Sequence, residues 1–243
     1  MLLLCLDSSA NASVAVVDTT PQQPQILARW ETQDTRSHAE VLTPAVERVM
    51  AEAGVTAQEL NGVLVGTGPG PFTGLRAGLA TARTLGFAWG LPVHGLCSLD
   101  AVANDVAALP DSERPVEFVV ATDARRREVY SAVYRTERDG GEAGRAVLVS
   151  GPSVGPAAEL PNLPAYGRGA GLYTEDLPQA VLKPVPGAVQ ANAPTEWQPS
   201  AASLGLAAAG VVNSGGELSA ETSPLYLRES DAKVPGPRKK ATA

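Results

Sequence analysis

The chain has 243 residues, 44% hydrophobic and 19% charged, which excludes a disordered polymer and allows one large or two modest domains with real cores. Its 19 Lys and Arg against 26 Asp and Glu leave a formal net charge of −7, so unaided binding to a nucleic-acid backbone is not expected. No apolar run is long enough for a membrane span, and Cys5 and Cys97 form no CxxC pair; they read as buried small hydrophobes in a reducing cytoplasm.

Residues 2–6 (LLLCL) predict a buried strand ending at Asp7, followed by strands at 13–18 and 26–31 in an antiparallel meander. Ser37 and Glu40 have capping-box spacing ahead of a helical apolar pattern at Leu42, Ala45, Val46, Val49, Met50 and Ala53. Pro44 lies inside that pattern and predicts a kink or break near residue 43. A strand at 62–67, a glycine-proline loop, a long helix at about 72–89 and a strand at 91–96 complete the first half. The segment 116–136 then repeats the opening layout of apolar strand, Asp, tight connection and alternating strand, with Asp123 in the place of Asp7. Beyond it the pattern predicts a short helix near 153–160, a strand around 164–167 and a helix at about 200–212. The whole reads as an α/β fold of two duplicated lobes, 1–104 and 105–222, with a C-terminal tail, 223–243, that is partly disordered.

The stretch GTGPGPFTGLRAGLATARTLG at 66–86 poses the main question of chemistry. A glycine-rich loop entering a helix suggests phosphate binding, yet the lysine of a Walker A loop is missing and the dinucleotide fingerprint fails in both frames. Pro69 and Pro71 lack the N–H groups such a cradle uses, and Pro71 suits a helix entry instead. Gly74, Gly78, Ala82 and Gly86 follow at i+4 steps and make a face nearly free of side chains. Internal glycines cost about 1 kcal/mol each relative to alanine, so a close contact must offset them. Either the helix packs tightly on its own sheet, or it also meets a partner, with Arg76 and Arg83 facing that partner.

Asp7 with Ser8, and Asp123, stand where an ATPase of the actin type holds metal-bound phosphates. Neither following turn carries the usual glycine, so a degraded nucleotide site and two strand-end carboxylates bonded to nearby amides both remain open. The only histidines, His38 and His94, form no zinc motif, no G-x-S-x-G elbow is present, and no metal set is expected.

Taken in order, LCLDSSANASVAVVD, SHAEVLTP, GTGPGPFTGLRAGLATARTLG, GLCSLDAVA, ATDARRREVYSAVY and PLYLRESDAK resemble the bacterial TsaB (YeaZ) family of tRNA threonylcarbamoyladenosine biosynthesis proteins. The resemblance runs from residue 2 to about 233, and residues 140–199 match little beyond length. Pro71 departs from the family's usual serine, and Arg83 stands near a usual lysine or glutamine. The resemblance implies an actin/Hsp70-like (ASKHA) fold and a non-catalytic, cytoplasmic scaffold without cofactor. It would bind and activate TsaD, the transferase acting on adenosine 37 of tRNA, so that tRNA is engaged only indirectly. Ser98 and Val102 would stand where the enzyme's two metal-binding histidines stand. The implied partner surface comprises His38, Leu42 and Val46 of the first helix with Gly74, Arg76, Gly78, Ala82 and Arg83 of the second. A homodimer through the same face and a TsaE-type ATPase are the further partners implied. A glycoprotease-type peptidase and a free-standing ATP-binding protein are the alternatives.

Overall fold

The computed structural model describes residues 1–20, 24–32, 38–138, 144–185, 190 and 192–228. Its first sheet starts from the apolar run at the N-terminus. β1 (Leu2–Asp7) pairs antiparallel with β2 (Ser13–Asp18), and β2 with β3 (Gln25–Glu31) across a bulge at Val16/Val17. β4 (Gly62–Gly66) and β5 (Val93–Leu96) add in parallel on the other side of β1, giving the order β3-β2-β1-β4-β5. A continuous apolar run suits β1 because it is covered on both faces. On one face α1 (His38–Ala53) and α2 (Phe72–Trp89) pack Leu42, Val46, Val49, Leu75 and Leu79 onto Leu4, Leu6, Val14, Val63 and Val65.

The second sheet repeats this plan. β6 (Glu117–Asp123), β7 (Glu128–Arg138) and β8 (Gly144–Pro156) form the antiparallel meander, and β9 (Ala165–Tyr166) joins β6 in parallel, in the order β8-β7-β6-β9. Its outer face is covered by α4 (Arg168–Leu172) and Leu177. Between the sheets lie α3 (Ser98–Ala107) and α5 (Ala201–Asn213). Leu99, Val102 and Val106 of α3 pack on Phe118, Val120 and Tyr134 of the second sheet, whereas its Ala101 joins Ala201, Leu204 and Ala208 of α5 on the back of the first. Two lobes of one topology, each built on a meander with a parallel addition, make an actin/Hsp70-like fold.

Several local expectations need correction. α1 is continuous through the exposed Pro44 rather than broken near residue 43; the Ser37 cap lies outside the described residues. No α-helix forms at 153–160, because β8 continues to Pro156 on the ladder offered by β7 and only a 3₁₀ turn, Ala157–Glu159, follows. Pro152 and Pro156 fit there because β8 is an edge strand and need not donate on both sides. Residue 104 lies within α3, and the chain after α5 returns to the first lobe. There Ser219 accepts a hydrogen bond from the Gly95 N–H of β5 (2.9 Å), and the Leu225 N–H donates to the Thr67 carbonyl (2.8 Å). The part of the tail expected to be disordered falls mostly on 229–243, outside the described residues.

Candidate functional site

The chain leaves β1 at Asp7 and enters β2 at Ser13; it leaves β6 at Asp123 and enters β7 at Glu128. The registers pair Asp7 with Ser13 and Asp123 with Val129, so the two carboxylates hold equivalent hairpin positions in the two lobes. Their surroundings differ completely. Asp7 is fully buried. Its Oδ1 accepts from the Ser9 N–H (2.8 Å) and hydroxyl (2.6 Å), and its Oδ2 from the Ser98 hydroxyl at the start of α3 (2.6 Å). Ser98 Oγ accepts in turn from the Gly68 N–H (3.0 Å). Several donors directed at one carboxylate compensate its removal from water. Asp7 therefore ties β1, the glycine-rich loop and α3 together.

The glycines at 66–86 are explained by the same junction. A Cβ on Gly66 would overlap the Asp7 carboxylate, one on Gly70 would sit 2.8 Å from Ser9 Cα, and one on Gly78 would overlap Ser8 Oγ. The Ser8 hydroxyl donates to the Gly74 carbonyl (2.7 Å) and accepts from the Gly78 N–H (3.1 Å), so it bridges successive turns of α2. Two turns further on, Gly86 packs on Leu91 and Val93. Pro71 is the residue immediately before the helix, with φ −61°. The side-chain-free stripe thus receives the chain's own loop 7–9 and its own β5.

This placement bears on the expected partner surface. Leu42, Val46, Gly74, Gly78 and Ala82 are all buried within the chain. His38 begins α1, but its side chain lies outside the described residues. Arg76 and Arg83 are exposed and both hold the C-terminal segment. Arg76 donates to Tyr226 Oη (2.6 Å), with its guanidinium 5.6 Å from the Phe72 ring centre and 5.4 Å from that of Tyr226. Arg83 donates to Thr222 Oγ1 (3.0 Å) and to the Thr222 carbonyl (2.8 Å). Tyr226 and Thr222 were not singled out from the sequence; the only signal was the PLYLRES block near the C-terminus.

In the second lobe Asp123 is partly open to solvent. Its Oδ1 accepts from the Arg125 N–H (2.8 Å) and the Tyr173 hydroxyl (3.4 Å), and Oδ2 lies 3.3 Å from the Arg125 guanidinium. Arg125, Arg126 and Arg127 all have left-handed backbone, with φ of 63°, 59° and 63°. Asp7 and Ser8 are therefore buried and engaged by internal bonds, whereas Asp123 is partly open to solvent.

If Asp7 is purely a structural tie, Asp7→Asn keeps the Ser9 bonds on its carbonyl oxygen and offers an N–H to Ser98. The variant is expected to melt within about 5 °C of wild type and to support activity fully. A well-folded variant without activity would show that the carboxylate charge has a chemical role.

Two further acids, not among the expected site residues, line the inter-sheet layer. Asp100 accepts from the Tyr134 hydroxyl (2.7 Å), and burial pushes its pKa up to about 6. Asp105 accepts at Oδ2 from Gln190 Nε2 and the Ser203 hydroxyl, both at 2.8 Å, and burial likewise raises it to about 6. Gln190 and Ser203 also line a cleft of about 450 Å³ beside Asn11, Arg29, Trp30 and Glu31. His94 lies in β5 with Nδ1 buried and without a hydrogen-bond partner. Val102 is buried among apolar neighbours, and Ser98 is engaged by Asp7. Among the described residues no three His, Cys, Asp or Glu gather as a metal site, and no helix is long and apolar enough to cross a membrane.

Comparison with known proteins places this geometry. A family model described as TsaD: tRNA N6-adenosine threonylcarbamoyltransferase matches residues 25–151. An uncharacterised protein of Mycobacterium tuberculosis is 41% identical over 209 residues, 86% of this chain and 83% of that protein. The Haemophilus influenzae tRNA threonylcarbamoyladenosine biosynthesis protein TsaB is 31% identical over 130 residues, 54% of this chain and 52% of that protein. The solved structure of YeaZ from Pseudomonas aeruginosa superposes with a TM-score of 0.69 at 25% identity, covering 93% of this chain and all of that one. The chain belongs to the TsaB/YeaZ family. As a TsaB/YeaZ-type protein it shares with the TsaD model the stretch from β3 into β8, which includes α2, α3 and the Asp123 hairpin.

Proposed function

We propose that this chain is a non-catalytic subunit in the formation of N6-threonylcarbamoyladenosine at position 37 of tRNA, binding and activating a TsaD-type catalytic subunit. The named relatives support the pathway. The non-catalytic reading is carried by Asp7, whose oxygens are already occupied by the Ser9 and Ser98 donors. A group spent on holding its own fold is poorly placed to hold a metal-bound phosphate. Glycoprotease and free-standing ATPase readings have no comparable support. Work on tRNA goes with a cytoplasmic location.

The surface offered to the catalytic subunit is the outer side of α1 and α2, not the glycine stripe. It carries Thr43, Glu47 and Ala51 on α1 and Ala80, Thr84 and Phe87 on α2, with Phe87 92% exposed. A large aromatic so exposed on a small-residue helix face suits an interface anchor. The isolated chain would pair with itself through the same side, in competition with the catalytic subunit, and a TsaE-type ATPase would join the assembled pair.

The test is threonylcarbamoyl transfer to tRNA by the TsaD-type subunit, with and without this chain. Transfer is expected to depend on the chain, and equal transfer without it would refute the proposal. Phe87→Asp, which touches no core residue, is expected to weaken calorimetric binding to the catalytic subunit at least tenfold, about 1.4 kcal/mol, at unchanged melting temperature.

A further inference from the structure

A second cavity, of about 150 Å³, opens where α3 and α5 meet β5 of the first sheet and β7 and β8 of the second. Its walls are mostly apolar, formed by Leu96, Ala146, Leu148, Ala207 and Val211. Asp100 interrupts them. Its Oδ1 accepts from the Tyr134 hydroxyl (2.7 Å), and no donor among the described residues reaches Oδ2. A carboxylate oxygen in such surroundings is costly unless something in the cavity donates to it.

Gly210 supplies an independent sign that the space is kept open. α5 has two internal glycines, and they differ. A Cβ on Gly205 would lie 2.5 Å from Val17 Cγ2 and 2.9 Å from Cys5 Sγ, so close packing accounts for that glycine. Gly210 lines the cavity, and nothing lies within 4 Å of a Cβ added there. The chain's own packing gives no reason for glycine at this helical position, where alanine is the better helix former.

We propose that this cavity binds a small free primary ammonium ion with a hydrocarbon body of about five carbons. Size, charge and wall chemistry each narrow the choice. A cavity of this volume accepts about six heavy atoms, as benzene fits a space of that size. The ammonium donates to Oδ2 while Tyr134 holds Oδ1, and hydrogen bonds between charged partners are the strong kind. An anion would meet the Asp100 carboxylate, and a purely apolar guest would leave Oδ2 without a donor. Arg145, the other charged side chain on the cavity, has its guanidinium 3.3 Å from the Glu137 carboxylate, which offsets its charge. Because the walls come from both sheets, the guest touches both lobes and braces one against the other. The site is apart from the α1–α2 surface and does not depend on the function proposed above.

The experiment is calorimetric titration of the full chain with n-pentylammonium chloride, beside 1-pentanol as a neutral guest of the same length. Pentylammonium is expected to bind at pH 7.5 with a Kd of about 1 mM or tighter, and pentanol at least tenfold more weakly. At ten times Kd the amine should raise the melting temperature by about 3–5 °C. The titratable groups facing Asp100 are Tyr134 from β7, Arg145 from β8 and Cys97 just before α3. Burial pushes Tyr134 and Cys97 up, so both stay protonated, and β5 and α5 bring only apolar residues to the cavity. Asp100, with its pKa near 6, is therefore the group that titrates, and binding at pH 5 should be about tenfold weaker than at pH 7.5. Asp100→Asn should lose at least tenfold in affinity and flatten that pH profile. Gly210→Leu fills the space from α5 and should abolish binding without lowering the melting temperature. No binding by wild type, pentanol binding as tightly as the amine, or unchanged affinity in either variant overturns the proposal. So does N-acetyl-lysine methylamide binding as tightly as pentylammonium, which would assign the cavity to a lysine of a partner protein.

Discussion

Gly66→Ala is expected to lower the melting temperature by about 10 °C or more, or to leave the protein insoluble. The new Cβ would overlap Asp7 Oδ2 and lie 2.6 Å from Ser98 Oγ and 2.8 Å from Asp7 Cγ. Neither neighbour is a flexible chain end that can swing aside. Asp7 is fully buried, and moving it breaks the 2.6 Å bond from Ser98 while straining those from Ser9. Hydrogen bonds to a charged group contribute about 1.5–3 kcal/mol each, and a buried charge left uncompensated costs about 3–5 kcal/mol. In a chain of this size each kcal/mol shifts the midpoint by about 2–4 °C. Gly54→Ala supplies the control. Gly54 has φ +66° and nothing within 4 Å of an added Cβ, so only the backbone cost of about 1 kcal/mol remains. If the two variants melt within a degree or two of each other, the Asp7 junction contributes little to stability.

The second large effect is a dependence on pH carried by α3. In the fold, Asp100 and Asp105 are each raised from 3.8 to about 6, chiefly by burial. The native state therefore holds those protons more tightly than the unfolded chain does. The stabilisation tied to each proton is complete below about pH 4 and disappears as the pH rises through 6. At neutrality each ionised group is a net cost, for Asp105 only partly relieved by Gln190, Ser203 and the nearby Arg29. A shift of this size is worth up to about 3 kcal/mol per group. Asp105→Asn keeps an acceptor for Gln190 and Ser203 but places its amide where Oδ1 has no partner, so a gain of about 1–2 kcal/mol at pH 8 is expected. No gain is expected at pH 4.5. Thermal melts of both proteins across this range decide the matter, and parallel curves would show that Asp105 does not titrate between the two states.

Much of the first lobe was legible because its elements satisfy local rules. LLLCL is a central strand in sequence and in space, and α2 and α5 occupy almost the residues their patterns mark. The duplication was visible in Asp7 and Asp123, and the strand registers express it directly. α3 was not read as a helix, although Asp100 and Asn104 mark an i,i+4 polar stripe on its otherwise buried surface; at ten residues the pattern is short. β8 was misread in part because its partner ladder, not its composition, maintains it through two prolines. The glycine stripe was correctly seen to require a close neighbour. Its spacing names a helical face but not what meets that face, and the answer, Ser8, lies 66 residues from Gly74 along the chain. Arg76 and Arg83 were readable as a pair for the same reason, while Tyr226 and Thr222 could be found only in three dimensions.

The return of α5 and the segment after it to the first sheet matters for how the protein is made. Leu3, Cys5, Ala15, Val17 and Leu64 form an apolar face whose cover includes Ala201, Ala202, Leu204 and Ala208. On the ribosome that face is complete once Leu64 is made and waits while about 140 residues are translated, roughly 7–30 s at ordinary elongation rates. During that interval the nascent amino-terminal half presents a half-finished core, which makes it a natural client for a holding chaperone. A stop codon just before α5 should therefore release an aggregation-prone polypeptide rather than a shorter working lobe.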